Sequence, residues 1–116
     1  MQLRLSIATL ILASAFAVSA AELDMSQCAF PAPPEVPDGA SATEEQMASA
    51  ASAVRAYVGE TQTALECLGD LETSLGEDIT ADQRTSIVDN YNAHVDEMNA
   101  IASEYNAQVR VFKGEE

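Results

Sequence analysis

Apolar residues recur every seven positions through two stretches of this sequence, and that period restricts the chain to a narrow set of folds. A seven-residue period kept over about four heptads is typical of helices packed in coiled-coil fashion. At about 1.5 Å of rise per residue, each stretch predicts a helix about 45 Å long. The repeating positions are Met47, Val54, Thr61, Leu68 and Leu75 in the first stretch, and Tyr91, Met98, Tyr105 and Phe112 in the second.

Two nearly identical signals mark where the helices start. Thr43 precedes the first stretch with Gln46 three residues later, and Thr80 precedes the second with Gln83 in the same relation. Each pair predicts a capping box, in which the threonine hydroxyl and the glutamine side chain satisfy backbone amides at the helix start.

A stop signal separates the two helices. Leu75-Gly76 is typical of a helix end, and the three residues that follow form a connection short enough to fold the second helix back beside the first. The sequence therefore predicts an all-α fold, an antiparallel two-helix hairpin resembling a coiled coil. Its expected parts are a helix over 43–75, a turn over 76–79 and a helix over 80–113.

An echo between YNAHV at 91–95 and YNAQV at 105–109 fits this hairpin. Tyr91 and Tyr105 are two heptads apart, so both are expected on the seam between the helices. We expect Tyr105 opposite small alanines and Tyr91 opposite Leu65. Packing in the core is the expectation for both rings, and contact with a ligand is the alternative.

The segment 21–42 has a different character. Its prolines fix the backbone and cannot donate hydrogen bonds, and Asp38-Gly39 follows them as a turn. This pattern predicts an extended arm that is neither helix nor strand. The prolines are Pro31, Pro33, Pro34 and Pro37.

Two cysteines, Cys28 and Cys67, are most simply one disulfide in a small chain of the exported kind that residues 1–20 predict below. A metal or redox pair is the alternative, although it usually needs close spacing such as C-x-x-C. A bridge would tie the arm to the first helix and lay it back along the hairpin. We expect Phe30 and Val36 of the arm to cover the isoleucines of the second helix there, with His94 bonded to an arm backbone group.

Residues 1–20 have the pattern of a secretory signal. A short positive start is followed by an apolar run too short to span a membrane, and then by small residues. We expect cleavage after Ala20 or Ala21, export to the periplasm, and no membrane insertion of the mature chain.

The charge of the chain limits its partners. It has 19 acidic and 5 basic residues, a net charge of −14, and removal of residues 1–20 takes away Arg4 alone among them and leaves −15. Such a chain repels nucleic acid and anionic lipid, since phosphate contacts need cations. Basic proteins or cations fit better as partners, but acidity that only keeps the chain soluble is the main expectation.

His94 is the only histidine. With Glu97 it could supply half of a metal site or a pH sensor, but a structural or surface role is the main expectation. The sequence contains no phosphate-binding loop, nucleotide motif or zinc spacing. We therefore expect neither an enzyme nor a cofactor.

Five carboxylates surround the expected turn. They could hold calcium or dock a basic partner, but nothing there matches a dedicated calcium loop. A solvated turn is the main expectation. The acidic tip consists of Asp70, Glu72, Glu77, Asp78 and Asp82.

Asparagines form a heptad row on the second helix, beside the seam and away from the arm. Asparagine is a mediocre helix former, so the row needs a reason. We predict an uncovered groove there, with an ordinary polar boundary as the main expectation and binding of a second copy of the chain or of another protein as the alternatives. Its residues are Ala51, Val58, Leu65, Asn92, Asn99 and Asn106.

Three ordered segments, CAFPAPPEVPDGASATEEQM, VRAYVGETQTALECL and YNAHVDEMNAIASEYNAQVRVFK, together resemble a family of small exported proteobacterial proteins of unknown function. The resemblance runs from Cys28 to Lys113. That family has no assigned activity, so the resemblance implies localisation in the cell envelope and no chemistry.

The helix starts ITADQR and, less closely, ATEEQM are similar to the L-T-x-x-Q motif of periplasmic stress chaperones. The motif is also a plain capping box, and those chaperones tend to expose basic surfaces that this chain lacks.

We therefore expect a non-enzymatic periplasmic protein-interaction module with a protein partner in the envelope, and a homodimer is one form that it could take. A holdase-like chaperone and weak divalent-cation binding are the alternatives.

Overall fold

The computed structural model describes residues 23–115 and shows an all-helical hairpin. Two helices of 32 residues each, α1 (Glu44–Leu75) and α2 (Ala81–Phe112), pack against each other in antiparallel fashion. Two short 3₁₀ turns complete the regular structure, Met25–Gln27 in the arm and Gly76–Asp78 between the helices. The predicted fold class is confirmed, and each helix starts one residue after the threonine that caps it.

Both predicted capping boxes form. The Thr43 hydroxyl accepts from the Gln46 amide at 3.1 Å, and the Thr43 amide donates to Gln46 Oε1 at 2.8 Å. Likewise, the Thr80 hydroxyl accepts from the Gln83 amide at 3.1 Å, and the Thr80 amide donates to Gln83 Oε1 at 2.9 Å. Each box satisfies backbone donors at a helix start and so fixes where the helix begins.

The connection between the helices depends on Gly76. Its φ of 54° lies in the region that only glycine adopts without strain, and its amide donates to the carbonyls of Glu72 and Thr73. Ile79 is then extended and leads into the Thr80 cap. The chain therefore reverses within a few residues, as the spacing predicts.

The core is unevenly divided between the two helices. Eight residues of α1 are buried, whereas Ile87 is the one buried residue of α2. Helix α1 is covered both by α2 and by the arm, so it buries a wide stripe. Much of α2 consequently stays half-buried or exposed. The buried residues of α1 are Met47, Ala50, Val54, Tyr57, Thr61, Ala64, Leu65 and Leu68.

The arm lies along one side of the hairpin and is attached at three points. The Cys28–Cys67 disulfide, with a Cα–Cα distance of 5.5 Å, joins it to α1 as predicted. Further along, the Phe30 ring stacks on His94 with centroids 3.6 Å apart. At the end of the arm, the Gly39 amide donates to Gln108 Oε1 at 2.8 Å.

The contact at His94 differs from the prediction. A hydrogen bond to the arm backbone was expected, but the imidazole instead lies parallel to the Phe30 ring, at an interplanar angle of 4°. The flat faces of the two rings bury apolar area, so His94 contributes to arm packing through its ring.

The far end of the arm meets α2 at the backbone itself. A Cβ added to Gly39 would lie 2.1 Å from the Gln108 carbonyl oxygen and 2.9 Å from the Phe112 nitrogen. Only a residue without a side chain fits there, so Gly39 allows the arm to touch the last turns of α2.

The N-terminal end of the arm is less extended than predicted. Asp24 accepts hydrogen bonds from the amide and hydroxyl of Ser26, which caps the short turn Met25–Gln27. The same two bonds hold the pKa of Asp24 below its usual value, with the hydroxyl bond the larger cause. Just beyond the turn, Cys28 joins Leu68 and Ile87 in a buried cluster against which Phe30 packs.

The two tyrosines of the echo have different environments. Tyr105 is half-buried, and its hydroxyl donates to the Met47 carbonyl at 3.5 Å. The core position predicted for Tyr91 is wrong, because its side chain is 42% exposed. Ile87, one turn earlier on α2, fills the space beside Leu68, so Tyr91 is turned towards the side away from the arm.

Candidate functional site

The side of the hairpin opposite the arm is the candidate site. The arm contacts Cys67, His94 and Gln108, which places it on one flank of the helix seam. The heptad rows on the other side of the seam form the opposite flank, since residues three, four and seven positions apart lie on the same face of a helix. A groove lined by Gly69, Glu72, Ile87, Val88 and Tyr91 confirms that these rows of α1 and α2 meet there.

We call this uncovered flank the open face. It contains two heptad rows from each helix together with Tyr91. Its residues are Ala48, Ala51, Arg55, Val58, Gln62, Leu65 and Gly69 on α1, and Val88, Tyr91, Asn92, Val95, Asn99, Ala102, Asn106 and Val109 on α2.

The predicted groove residues lie on this face at different depths. Leu65 is buried, Ala51 and Val58 are half-buried, and Asn92, Asn99 and Asn106 are exposed. The α1 members therefore form the floor near the seam, and the asparagines form the outer edge on α2.

The most exposed apolar side chains of the open face are not among the groove residues predicted from the sequence. Val88 is 43% exposed and Tyr91 is 42% exposed, and both line the groove of about 230 Å³ near the tip. Gly69 lies across from them and has nothing within 4 Å of an added Cβ. A glycine opposite two large side chains is the signal that could have indicated this gap.

Carboxylates are almost missing from the open face. Glu44 and Glu72 fall in its rows, but both lie near helix ends, and Glu72 is paired with Arg84 at 3.7 Å. Between them the rows carry Arg55 and otherwise neutral residues. The remaining carboxylates of the helices lie on the solvent side or the arm side: Glu45, Glu60, Glu66, Asp70, Asp82, Asp89, Asp96, Glu97 and Glu104.

The acidic tip does not gather into a site. Asp70, Glu77, Asp78 and Asp82 are exposed, and Glu72 is half-buried beside Arg84. Within residues 23–115, no group of three or more histidine, cysteine or carboxylate side chains is placed to hold a metal ion.

Two buried polar groups lie at the helix seam near its middle. Burial raises the pKa of the Tyr57 phenol above 10.0, the Glu97 carboxylate raises it further, and the Thr61 hydroxyl acts in the opposite direction. Thr61 is itself buried, and its hydroxyl makes no hydrogen bond of normal geometry within the described chain. Both groups belong to the packing of α1 on α2 and reach no groove.

Two shallow grooves also follow the arm. One lies between Ala29 and Gly59, and the other lies between Val36 and Ala50. Both grooves are the space left between an extended segment and a helix. Neither brings together a reactive set of side chains.

In the part of the chain that the structure describes, neither helix is long and apolar enough to cross a bilayer. Comparison with protein-family models, with curated proteins and with solved structures finds no match.

Proposed function

We propose that this chain is a non-enzymatic protein-interaction module of the cell envelope, and that its open face is the binding surface. The observation that carries the proposal is the exposure of Val88 and Tyr91 on the flank that the arm leaves uncovered. Large apolar side chains grouped on one rigid face are typical of protein-binding surfaces, and aromatic residues are enriched at their centres.

The location in the envelope is part of this proposal. It is supported by the signal-like pattern of residues 1–20, with cleavage after Ala20 or Ala21. The Cys28–Cys67 disulfide also favours an oxidising compartment such as the periplasm. The acidic surface elsewhere keeps the exported chain apart from nucleic acid and anionic lipid.

The rigidity of the site supports a binding role. Both helices carry complete capping boxes, and the arm is bonded to both of them. The open face is therefore held in one shape before a partner arrives, which lowers the entropy cost of association.

Photo-crosslinking in living cells tests the proposal. Tyr91 is replaced by p-benzoylphenylalanine, a larger aromatic that its exposed position can accommodate, and Ser103 is replaced in the same way as the control. Ser103 is also exposed on α2 but lies on the solvent side. We expect adducts with one or two defined proteins from position 91 and none from position 103.

The pattern of adducts separates the alternatives. Equal labelling from both positions, or no adduct from position 91, would contradict a binding role for the open face. Adducts spread over many unrelated unfolded proteins would instead favour the holdase-like chaperone.

A further inference from the structure

We propose that the open face binds the open face of a second copy of this chain, with the two hairpins antiparallel, to form a four-helix bundle. This inference rests on the proposed function, because it names the occupant of the same surface.

The distribution of charge favours a second copy. Two chains that each carry −15 without residues 1–20 repel one another at most approaches, and like charges brought together at an interface cost several kcal/mol. The open face is the surface on which this repulsion is smallest, since its rows contain no carboxylate from Ala48 to Gly69 or from Val88 to Val109. A basic partner would find no carboxylates there to bind.

The size of the face suits a stable dimer. Two helices about 45 Å long, packed about 10 Å apart, present a flank about 20 Å wide, or about 900 Å². Specific interfaces bury about 800 Å² on each partner. A second hairpin laid on the open face would cover it completely, whereas a short peptide would not.

The shape of the face favours the antiparallel arrangement. Its large exposed side chains, Val88 and Tyr91, lie in the half near the tip, and Ala48, Ala51 and Ala102 lie in the other half. A two-fold axis across the middle brings the tip half of one copy onto the opposite half of the other. Tyr91, about 8 Å from the middle along α2, then lies at the level of Ala102 of the second copy.

The charged ends support the same direction. Glu72, Glu77 and Asp78 lie near the tip. Arg110 and Lys113 lie about 45 Å away at the other end of the hairpin, where they offset the charge of the neighbouring Glu44, Glu45 and Glu115 in part. An antiparallel pair brings Lys113 of each copy to the level of the other's tip. A parallel pair would instead place the two acidic tips side by side, which like-charge repulsion opposes.

The mass in solution and a matched pair of variants test the contact. The purified, oxidised chain without residues 1–20 is studied by sedimentation over a range of concentrations, and we expect twice the chain mass. Asn99→Asp adds a carboxylate near the proposed axis without changing side-chain size, and should raise the dimer dissociation constant about tenfold or more. Ser103→Asp adds the same charge to the solvent side of α2 and should change it less than about twofold.

Helical content and melting of both variants at high dilution show that the fold is unchanged. A single-chain mass at high concentration, or equal effects of Asn99→Asp and Ser103→Asp, would overturn the proposal.

The direction of the pair has its own test, because Lys113 is the one lysine of the chain. Carbodiimide treatment of a mixture of isotope-labelled and unlabelled chains should give mixed-isotope links from Lys113 to tip carboxylates such as Glu72 or Glu77. Lys113 cannot reach the tip of its own chain. Mixed-isotope links from Lys113 confined to residues near Glu44 would show a parallel pair and overturn the antiparallel arrangement, whereas links to those residues within one chain are expected in either case.

These outcomes are distinct from those of the proposed function. A single-chain mass together with a defined heterologous adduct at position 91 would end the dimer and leave the interaction module standing. A single-chain mass with no position-dependent adduct would end both.

Discussion

Ile87 and Val88 are adjacent on α2 and similar in chemistry, yet Ile87 is 2% exposed and Val88 is 43% exposed. The difference is the arm, since Ile87 packs with Cys28 and Leu68 and Val88 lies on the flank that the arm does not reach. Two helices bury only the seam between them, so each flank needs a third element. The chain supplies one for the Ile87 flank and leaves the open face without one.

Among the changes considered, loss of the disulfide should lower the stability of the arm-covered flank most. The bridge spans 39 residues, and closing a loop of that length stabilises a fold by about 4 kcal/mol in the chain-entropy model. Replacing both Cys28 and Cys67 by serine should lower the free energy of unfolding by about that amount, measured by urea titration. A loss below about 1 kcal/mol would show that the arm is held mainly by its other contacts.

Truncation of the two neighbours on α2 compares the flanks directly. Ile87→Ala removes a buried side chain and should cost about 3 kcal/mol, since it leaves a cavity under the arm. Val88→Ala removes a side chain that is already largely in water, so it should cost about 0.5 kcal/mol or less in the isolated chain. The two free energies of unfolding are measured at a protein concentration low enough to keep the chain monomeric. Equal losses would contradict the one-sided burial.

A methyl group at Gly39 should loosen the far end of the arm. The added carbon of Gly39→Ala would clash with the Gln108 carbonyl, and overpacking of this kind costs about 1 to 3 kcal/mol. Gly59→Ala is the matched control, because Gly59 lies within α1 with open space around it. Alanine there should stabilise the helix by about 0.5 to 1 kcal/mol. Opposite signs in thermal melts are the expected result, and destabilisation by both changes would argue against the close approach.

A small fall in stability at alkaline pH should report the burial of Tyr57 at the seam between the helices. Burial raises the pKa of Tyr57 in the folded chain above the unfolded value of 10.0. The neutral phenol is therefore favoured by folding, and this contribution is fully present below about pH 10 and lost as the pH rises beyond it. Tyr57→Phe should flatten the fall in melting temperature above about pH 10. An unchanged slope would indicate that the phenol is solvated in the folded state.

Local signals in the sequence predict most of the hairpin. Thr43 and Thr80 place the helix starts within one residue, and Gly76 marks the turn, because capping and glycine geometry depend on neighbours only a few residues away. The sequence also predicts the disulfide and the side of the hairpin on which the arm lies. The arm can reach Cys67 only by running back along the hairpin.

Contacts between distant segments were harder to predict. The heptad pattern places Tyr91 on the seam, but whether Ile87 or Tyr91 fills the core depends on how far each helix is rotated. The approach of Gly39 to Gln108 depends on where the arm ends relative to the last turn of α2. The open face itself was predicted from its asparagine edge, whereas its exposed members Val88 and Tyr91 were not.

Hydroxyl-radical footprinting at high dilution, read by mass spectrometry, tests the central claim that one flank is covered and the other is open. Tyr91 and Tyr57 have the same intrinsic reactivity, so their rates report exposure alone. We predict rapid oxidation of Tyr91, slow oxidation of Tyr57 and Phe30, and, after reduction of the disulfide, faster oxidation of Phe30 with no change at Tyr91. Similar rates at Tyr91 and Tyr57 in the oxidised chain would contradict this account.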